Sequence, residues 1–167
     1  MIYQHPESSD PIDQGDILHD CPLAKIIDFD PVRSQVTRIR WGTERVVVLT
    51  QTCDLAQAKV TQAVVAVAVE SAEIVASKQL KPADIRGPVR AGRIFGWYFL
   101  PADADLKIPE LIVDLRQLHT APLPILEELC QHGKRDGQIK PLFREHLAKH
   151  FGDTYSRIGL PEPYPTE

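Results

Sequence analysis

Apolar positions along this chain fall into short β-branched runs at first and take on helical spacing only near the C-terminal end. Leu23 to Phe29 reads as a first strand, closed by the turn signal Asp28-Phe29-Asp30-Pro31. Ser34 to Trp41 alternates weakly, with Val36, Arg38 and Arg40 opposing Gln35, Thr37 and Ile39. That predicts a solvent-facing strand ended by a turn at Gly42. Val46 to Thr50 is continuous, short and β-branched, so a central strand is expected rather than a helix. Gln62 to Val69 predicts another strand, with Val65, Val67 and Val69 on one face and Ala66 and Ala68 on the other. Such small residues imply close packing against the second face. Arg93 to Leu100 holds the aromatic heart of the chain, and Leu111 to Leu115 is a further strand carrying Asp114.

Helical signals are fewer. Ser71 to Leu80 and Ile125 to Gln131 read as short helices. Ile139, Phe143, Leu147, Phe151 and Ile158 predict a long amphipathic helix over 139–158, stopped by Gly159-Leu160-Pro161. Cys21-Pro22 reads as a break, Cys53 to Lys59 as a helical turn or loop, and Gly133 to Gly137 as a loop. Several strands followed by helices define an α+β class, built on a small antiparallel barrel or curled sheet with C-terminal helices. Residues 1–13 are expected to form a flexible arm, 14–160 one barrel-plus-helix domain, and 161–167 a Pro-rich tail.

Composition narrows the functional classes only modestly. With 167 residues, 43% hydrophobic and 25% charged, the chain has the balance of a soluble single domain. Its net charge of −4 provides no global field for nucleic acid or membrane, so any polyanion contact needs a local patch. No apolar run reaches the roughly 20 residues of a membrane helix. The three widely spaced cysteines fit a reducing compartment, and a cytoplasmic location without membrane contact is expected.

Candidate chemistry centres on Arg45-Val46-Val47-Val48-Leu49-Thr50-Gln51-Thr52-Cys53-Asp54-Leu55, where an apolar run ends in polar groups. Cys53 would serve as a nucleophile if a histidine approached it, and His119, just past another strand end, is the best partner. The competing reading makes Cys53 a buried apolar residue and Asp54 a cap. No metal-ligand spacing is present, no Gly-rich phosphate loop occurs, and no cofactor is expected. Two basic stretches stand out: Arg33, Arg38, Arg40 and Arg45, then Lys78, Lys81, Arg86, Arg90 and Arg93. On one face they would form a positive groove, with Trp41, Trp97 and Tyr98 as stacking surfaces. Arginines that merely keep strand edges soluble are the equal alternative.

Gln14-Gly15-Asp16-Ile17, Arg45-Val46-Val47-Val48-Leu49, the Val64-to-Ala68 strand and Leu111-to-Thr120 occur in an order that resembles the MazF/PemK-type toxin family. The resemblance implies an SH3-like barrel, usually a homodimer, that cleaves single-stranded RNA without a metal. By position Arg45 would stabilise charge at the scissile phosphate, and Ser71 is the hydroxyl nearest the second catalytic place. Three departures bear on activity: no proline at Val46, an atypical Gln51-Thr52-Cys53-Asp54 loop, and no threonine at that second place. The Gln51-to-Leu55 run is also similar to an uncharacterised bacterial group to which no activity attaches. The leading expectation is therefore a nucleic-acid-binding barrel, a divergent endoribonuclease or a non-catalytic relative from a toxin or defence locus. Arg38, Arg40, Trp41, Arg90 and Arg93 would hold the strand. The alternatives are an interaction or dimerisation module using the barrel and last helix, with a protein partner, and a cysteine enzyme using Cys53 and His119.

Overall fold

The structure, a computed structural model, describes residues 2–156. Seven strands build one antiparallel sheet: β1 (Tyr3–Gln4), β2 (Asp16–Asp30), β3 (Gln35–Val48), β4 (Gln62–Glu70), β5 (Trp97–Leu100), β6 (Leu111–Pro122) and β7 (Arg135–Ile139). Their spatial order is β1-β7-β2-β3-β4-β6-β5. Five helices accompany it: α1 (Thr52–Ala56), α2 (Ser71–Ala76), α3 (Pro82–Asp84), α4 (Leu123–Gln131) and α5 (Pro141–Tyr155). A π-helical turn, Ile85–Val89, continues α3. The class is α+β, as the strand-then-helix pattern implies. Among the described residues no pairing joins β1 to β5, so the sheet stays open where a closed barrel was expected.

The alternation in β4 sorts the core into two faces. Ala66 and Ala68 join Val47, Leu49, Val113 and Leu147 of α5 in one cluster. Val65 and Val67 join Val46, Val48, Leu126 and Cys130 in the other, under α4. A third cluster, with Ile74, Val89, Trp97 and Ile112, seats α2 and the π-helical turn on the β5 side. Small side chains on the first face let the layers above it approach closely, as the pattern required.

Several expectations need correction. The break at Cys21-Pro22 and the turn at Gly42 do not occur: β2 and β3 run on as long partners, with Leu23 opposite Gly42. A register shift between Leu18 and Cys21, with Asp20 at φ +57°, absorbs the irregularity. Pro22 lies where the outer edge of β2 is open, so a missing donor is tolerated. The segment expected as a free N-terminal arm is tied down, because the Tyr3 ring fills the first cluster. Tyr3 is 1% exposed, pairs with Ile139 and donates its hydroxyl to the Pro101 carbonyl at 2.6 Å. Gly133 to Gly137 is not all loop, since residues 135–139 form β7. A Cβ on Gly137 would meet the Ile108 and Leu106 side-chain ends at 3.0 and 3.3 Å, so those side chains would have to give by a few tenths of an ångström to admit one. Ile139 belongs to that strand, and the last helix starts at Pro141 and passes Gly152 without a break. The expected stop at 159–161 and the tail at 161–167 lie outside the described residues.

One consequence of the long hairpin dominates the molecule's outline. β2 pairs with β7 only over Asp16–Leu18, and β3 with β4 only over Val46–Val48. Residues 21–30 and 35–44 pair with each other alone. They form a two-stranded arm about 30 Å long that leaves the sheet.

Candidate functional site

Arg45 immediately precedes the first β3 residue that pairs with β4, Val46, and lies on the same face as Val47. Its Nε donates to Asp136 Oδ2 at 2.9 Å, and its Nη1 lies 3.5 Å from Glu70 Oε1. The other Asp136 oxygen bonds His19 Nδ1 at 2.7 Å. A shallow cavity of about 250 Å³ opens beside this group, lined by His19, Asp20, Glu44, Arg45, Glu70 and Glu73 among others. Five carboxylates, Asp20, Glu44, Glu70, Glu73 and Asp136, therefore lie around one guanidinium and one imidazole. That field attracts cations and repels phosphate. Sequence reasoning missed Asp136 altogether, because it sat in a stretch read as loop.

Ser71 is not in this cavity. It opens α2, where its amide donates to the Glu110 carbonyl at 3.0 Å, and it lines a separate cavity with Pro82, Arg86 and Glu110. Arg45 and Ser71 thus face different spaces, although Glu70 precedes Ser71 directly.

Cys53 and His119 are not brought together either. Cys53 is exposed on α1, and its Sγ lies 3.7 Å from Gln51 Oε1 and 3.8 Å from Asp54 Oδ1. His119 stands on β6 opposite Val65. Burial, then the nearby Lys25 ammonium, hold its imidazole below the usual range against the pull of Glu44. The Gln51-to-Leu55 run does line a cavity of about 550 Å³ through Thr52 and Leu55, together with His5, Asp13, Glu127 and Gln138. Thr52 Oγ1 is buried beside it without a hydrogen-bond partner.

The arm carries Arg38, Arg40 and Trp41. Cross-strand partners share a face, so Ala24 with Trp41 and Ile26 with Ile39 form one face, while Lys25 with Arg40 lie on the other. The apolar side is open to solvent: Ile26 is 66%, Ile39 43% and Trp41 74% exposed. Lys25 reaches Glu44 at 3.5 Å, and Arg38 and Arg40 make no ion pair among the described residues. Arg90 and Arg93 stand apart from them, at the end of the π-helical turn near β5, with β4 and β6 between β5 and β3. The two basic stretches do not share a groove.

Among the described residues no cluster of three or more His, Cys, Asp or Glu is arranged to hold a metal ion. No helix is long and apolar enough to cross a membrane. No family model matches this chain, and no curated protein matches it.

Proposed function

We propose that this chain is an interaction protein whose working element is the β2–β3 arm, and that the apolar face of the arm docks on a second copy of the chain. The observation that carries this reading is the solvent exposure of Ile26, Ile39 and Trp41 side by side on one face of a ribbon whose root, Cys21 and Leu23, packs under α4 on the other face. Contiguous apolar surface of that kind is the usual mark of an interface. Two features favour a like partner. Both outer edges of the ribbon are unpaired, which suits strand addition about a two-fold axis. With the turn at its tip, the arm over residues 21–44 carries four basic and three acidic side chains, against a remainder that is net negative. Light scattering after size exclusion tests the reading. A dimer that Ile39→Asp with Trp41→Ala converts to a folded monomer supports it, and a wild type that is monomeric at every concentration overturns it.

Arg38 and Arg40 favour a second reading, in which the arm binds nucleic acid. A two-stranded ribbon fits a major groove, its guanidinium groups contact phosphates and Trp41 stacks. The SH3-like, PemK-type barrel and metal-independent RNA cleavage belong to this reading. The order of the Gln14–Ile17, Arg45–Leu49 and Leu111–Thr120 motifs supports it, and the five carboxylates around Arg45 weigh against a scissile phosphate there. Salt-dependent binding of labelled RNA or duplex DNA that Arg38→Ala with Arg40→Ala abolishes would favour it. Absence of binding at low salt removes it.

A further inference from the structure

A cavity of about 330 Å³ lies between β5, α5 and the π-helical turn, on the sheet edge away from the arm. Its walls are apolar: Ile2, Phe99 and Phe143 contribute, with the ring of Tyr98. Two side chains bring polarity. The Arg90 guanidinium carbon sits 5.1 Å over the centre of the Phe99 ring and the side chain makes no ion pair among the described residues. His146 bonds the Tyr98 hydroxyl through Nδ1 at 3.0 Å. Burial pushes the Tyr98 hydroxyl up to about 12, so it keeps its proton and can donate it to Nδ1. The same hydroxyl lies 3.4 Å from the Phe143 carbonyl; when it donates to Nδ1 instead, the hydrogen of a neutral His146 resides on Nε2 and makes this ring a donor.

No carboxylate lines this cavity, although the chain is acidic overall. The cavities at Arg45, at Thr52 and beside Ser71 each hold at least one. Its volume lies at the lower end of the range for small-molecule sites, about 300–1,000 Å³. The backbone that presents Arg90 is itself uncommon: Pro88 stands inside a π-helical turn, and the Arg90 amide donates to the Ile85 carbonyl at 3.2 Å. Single π-helical turns of this sort recur at functional sites.

From this combination we infer a binding site for a small organic anion with an apolar or aromatic body, its acid group held by Arg90 and His146 and its body packed on Phe99, Phe143 and the Tyr98 ring. The site goes beyond the docking role of the arm and shares no residue with it. Amide-resolved NMR titration of the full chain tests it, with benzoate and phenyl phosphate as anionic probes, benzylamine as the cation and benzyl alcohol as the neutral ring. Saturable shifts at Arg90, Gly92, Tyr98 and His146 are expected with an anion, and none with benzylamine or benzyl alcohol. Benzoate against phenyl phosphate decides which acid group the site takes. Arg90→Gln is expected to weaken anion binding about tenfold while leaving the rest of the spectrum in place. Arg33→Gln, at the tip of the arm, should leave it unchanged. Binding of benzyl alcohol as tight as benzoate, no saturable shift with either anion, or full affinity in a folded Arg90→Gln protein overturns the inference.

Discussion

The guanidinium of Arg45 on β3 reaches over β2 to Asp136 on β7, Nε to Oδ2 at 2.9 Å. His19, on the strand between them, holds the second oxygen of the same carboxylate at 2.7 Å. Three neighbouring strands are therefore joined by one carboxylate where β2 leaves the sheet to enter the arm. The residue that a ribonuclease would aim at phosphate is engaged in holding the root of the hairpin.

Removing that carboxylate should loosen the junction. Asp136→Ala is expected to lower stability by about 1–2 kcal/mol, the net worth of charge-assisted hydrogen bonds at a partly exposed site. Urea unfolding checks this, as a fall in the midpoint with the slope unchanged. A midpoint equal to wild type would show that Arg45 finds Glu70 an adequate substitute.

Thiol reactivity should separate the three cysteines sharply. Cys53 is exposed, whereas Cys21 and Cys130 are buried, and burial raises both buried thiols. Cys130 also sits against the Arg135 guanidinium, with Nη2 at 2.9 Å. A thiol-specific chromogenic reagent is expected to label one cysteine in the native protein and all three after denaturation. Cys53→Ser should remove the native reaction entirely. Rapid labelling well below neutral pH would instead reveal an activated thiolate at Cys53 and revive the nucleophile reading.

Asp16 gives stability a specific pH dependence. It is fully buried, accepts hydrogen bonds from the Asp13 amide at 2.8 Å and Gln138 at 3.0 Å, and lies 3.5 Å from Arg135. Burial outweighs these partners and pushes its carboxyl from 3.8 up to about 6. The folded state thus holds this proton more tightly than the unfolded chain. Its contribution is greatest below the ordinary value and is lost as pH rises through about 6. The stability difference between wild type and Asp16→Asn should therefore shrink between about pH 4 and about pH 7, read by denaturant unfolding at each pH. A difference that grows over that window would mean the carboxylate is held charged by Arg135.

Gly15 turns the chain into β2 at φ +85°, and a Cβ there would meet the Ile139 Cβ at 3.1 Å. Gly15→Ala combines a left-handed backbone penalty with a backbone-anchored clash. A loss of about 2–3 kcal/mol is expected in thermal or urea unfolding. A loss below about 0.5 kcal/mol would mean the turn can relax to another conformation.

Much of the sheet was legible because its side chains carry the pattern themselves. Val46 to Val48, Gln62 to Val69 and Leu111 to Leu115 are strands in both readings, and the split of β4 into valine and alanine faces predicts which cluster each joins. β7 was not legible. Arg135, Asp136, Gly137 and Gln138 have neither alternation nor β-branched residues, and they become a strand through pairing with Asp16, Ile17 and Leu18 more than a hundred positions away. For the same reason the Asp136 junction at Arg45 was hidden. The alternation already set Arg38 and Arg40 opposite Ile39, whereas which β2 residues join each face, Lys25 with the arginines and Ala24 and Ile26 with Ile39 and Trp41, required the register.

The place of β7 between β1 and β2 has a consequence for how the chain is made. Tyr3 and Asp16 leave the ribosome more than a hundred residues ahead of 135–139, the strand that fills the gap between them. The β2–β3 hairpin forms from local contacts as soon as both strands have emerged. The edge of β2 at Ile17 then waits unpaired until residues 135–139 have been synthesised, more than a hundred positions later. Closing a pair such as Tyr3 with Ile139 carries a large loop entropy and comes late. During that interval the nascent chain offers an open β edge, the feature that trigger-type chaperones and aggregation both exploit.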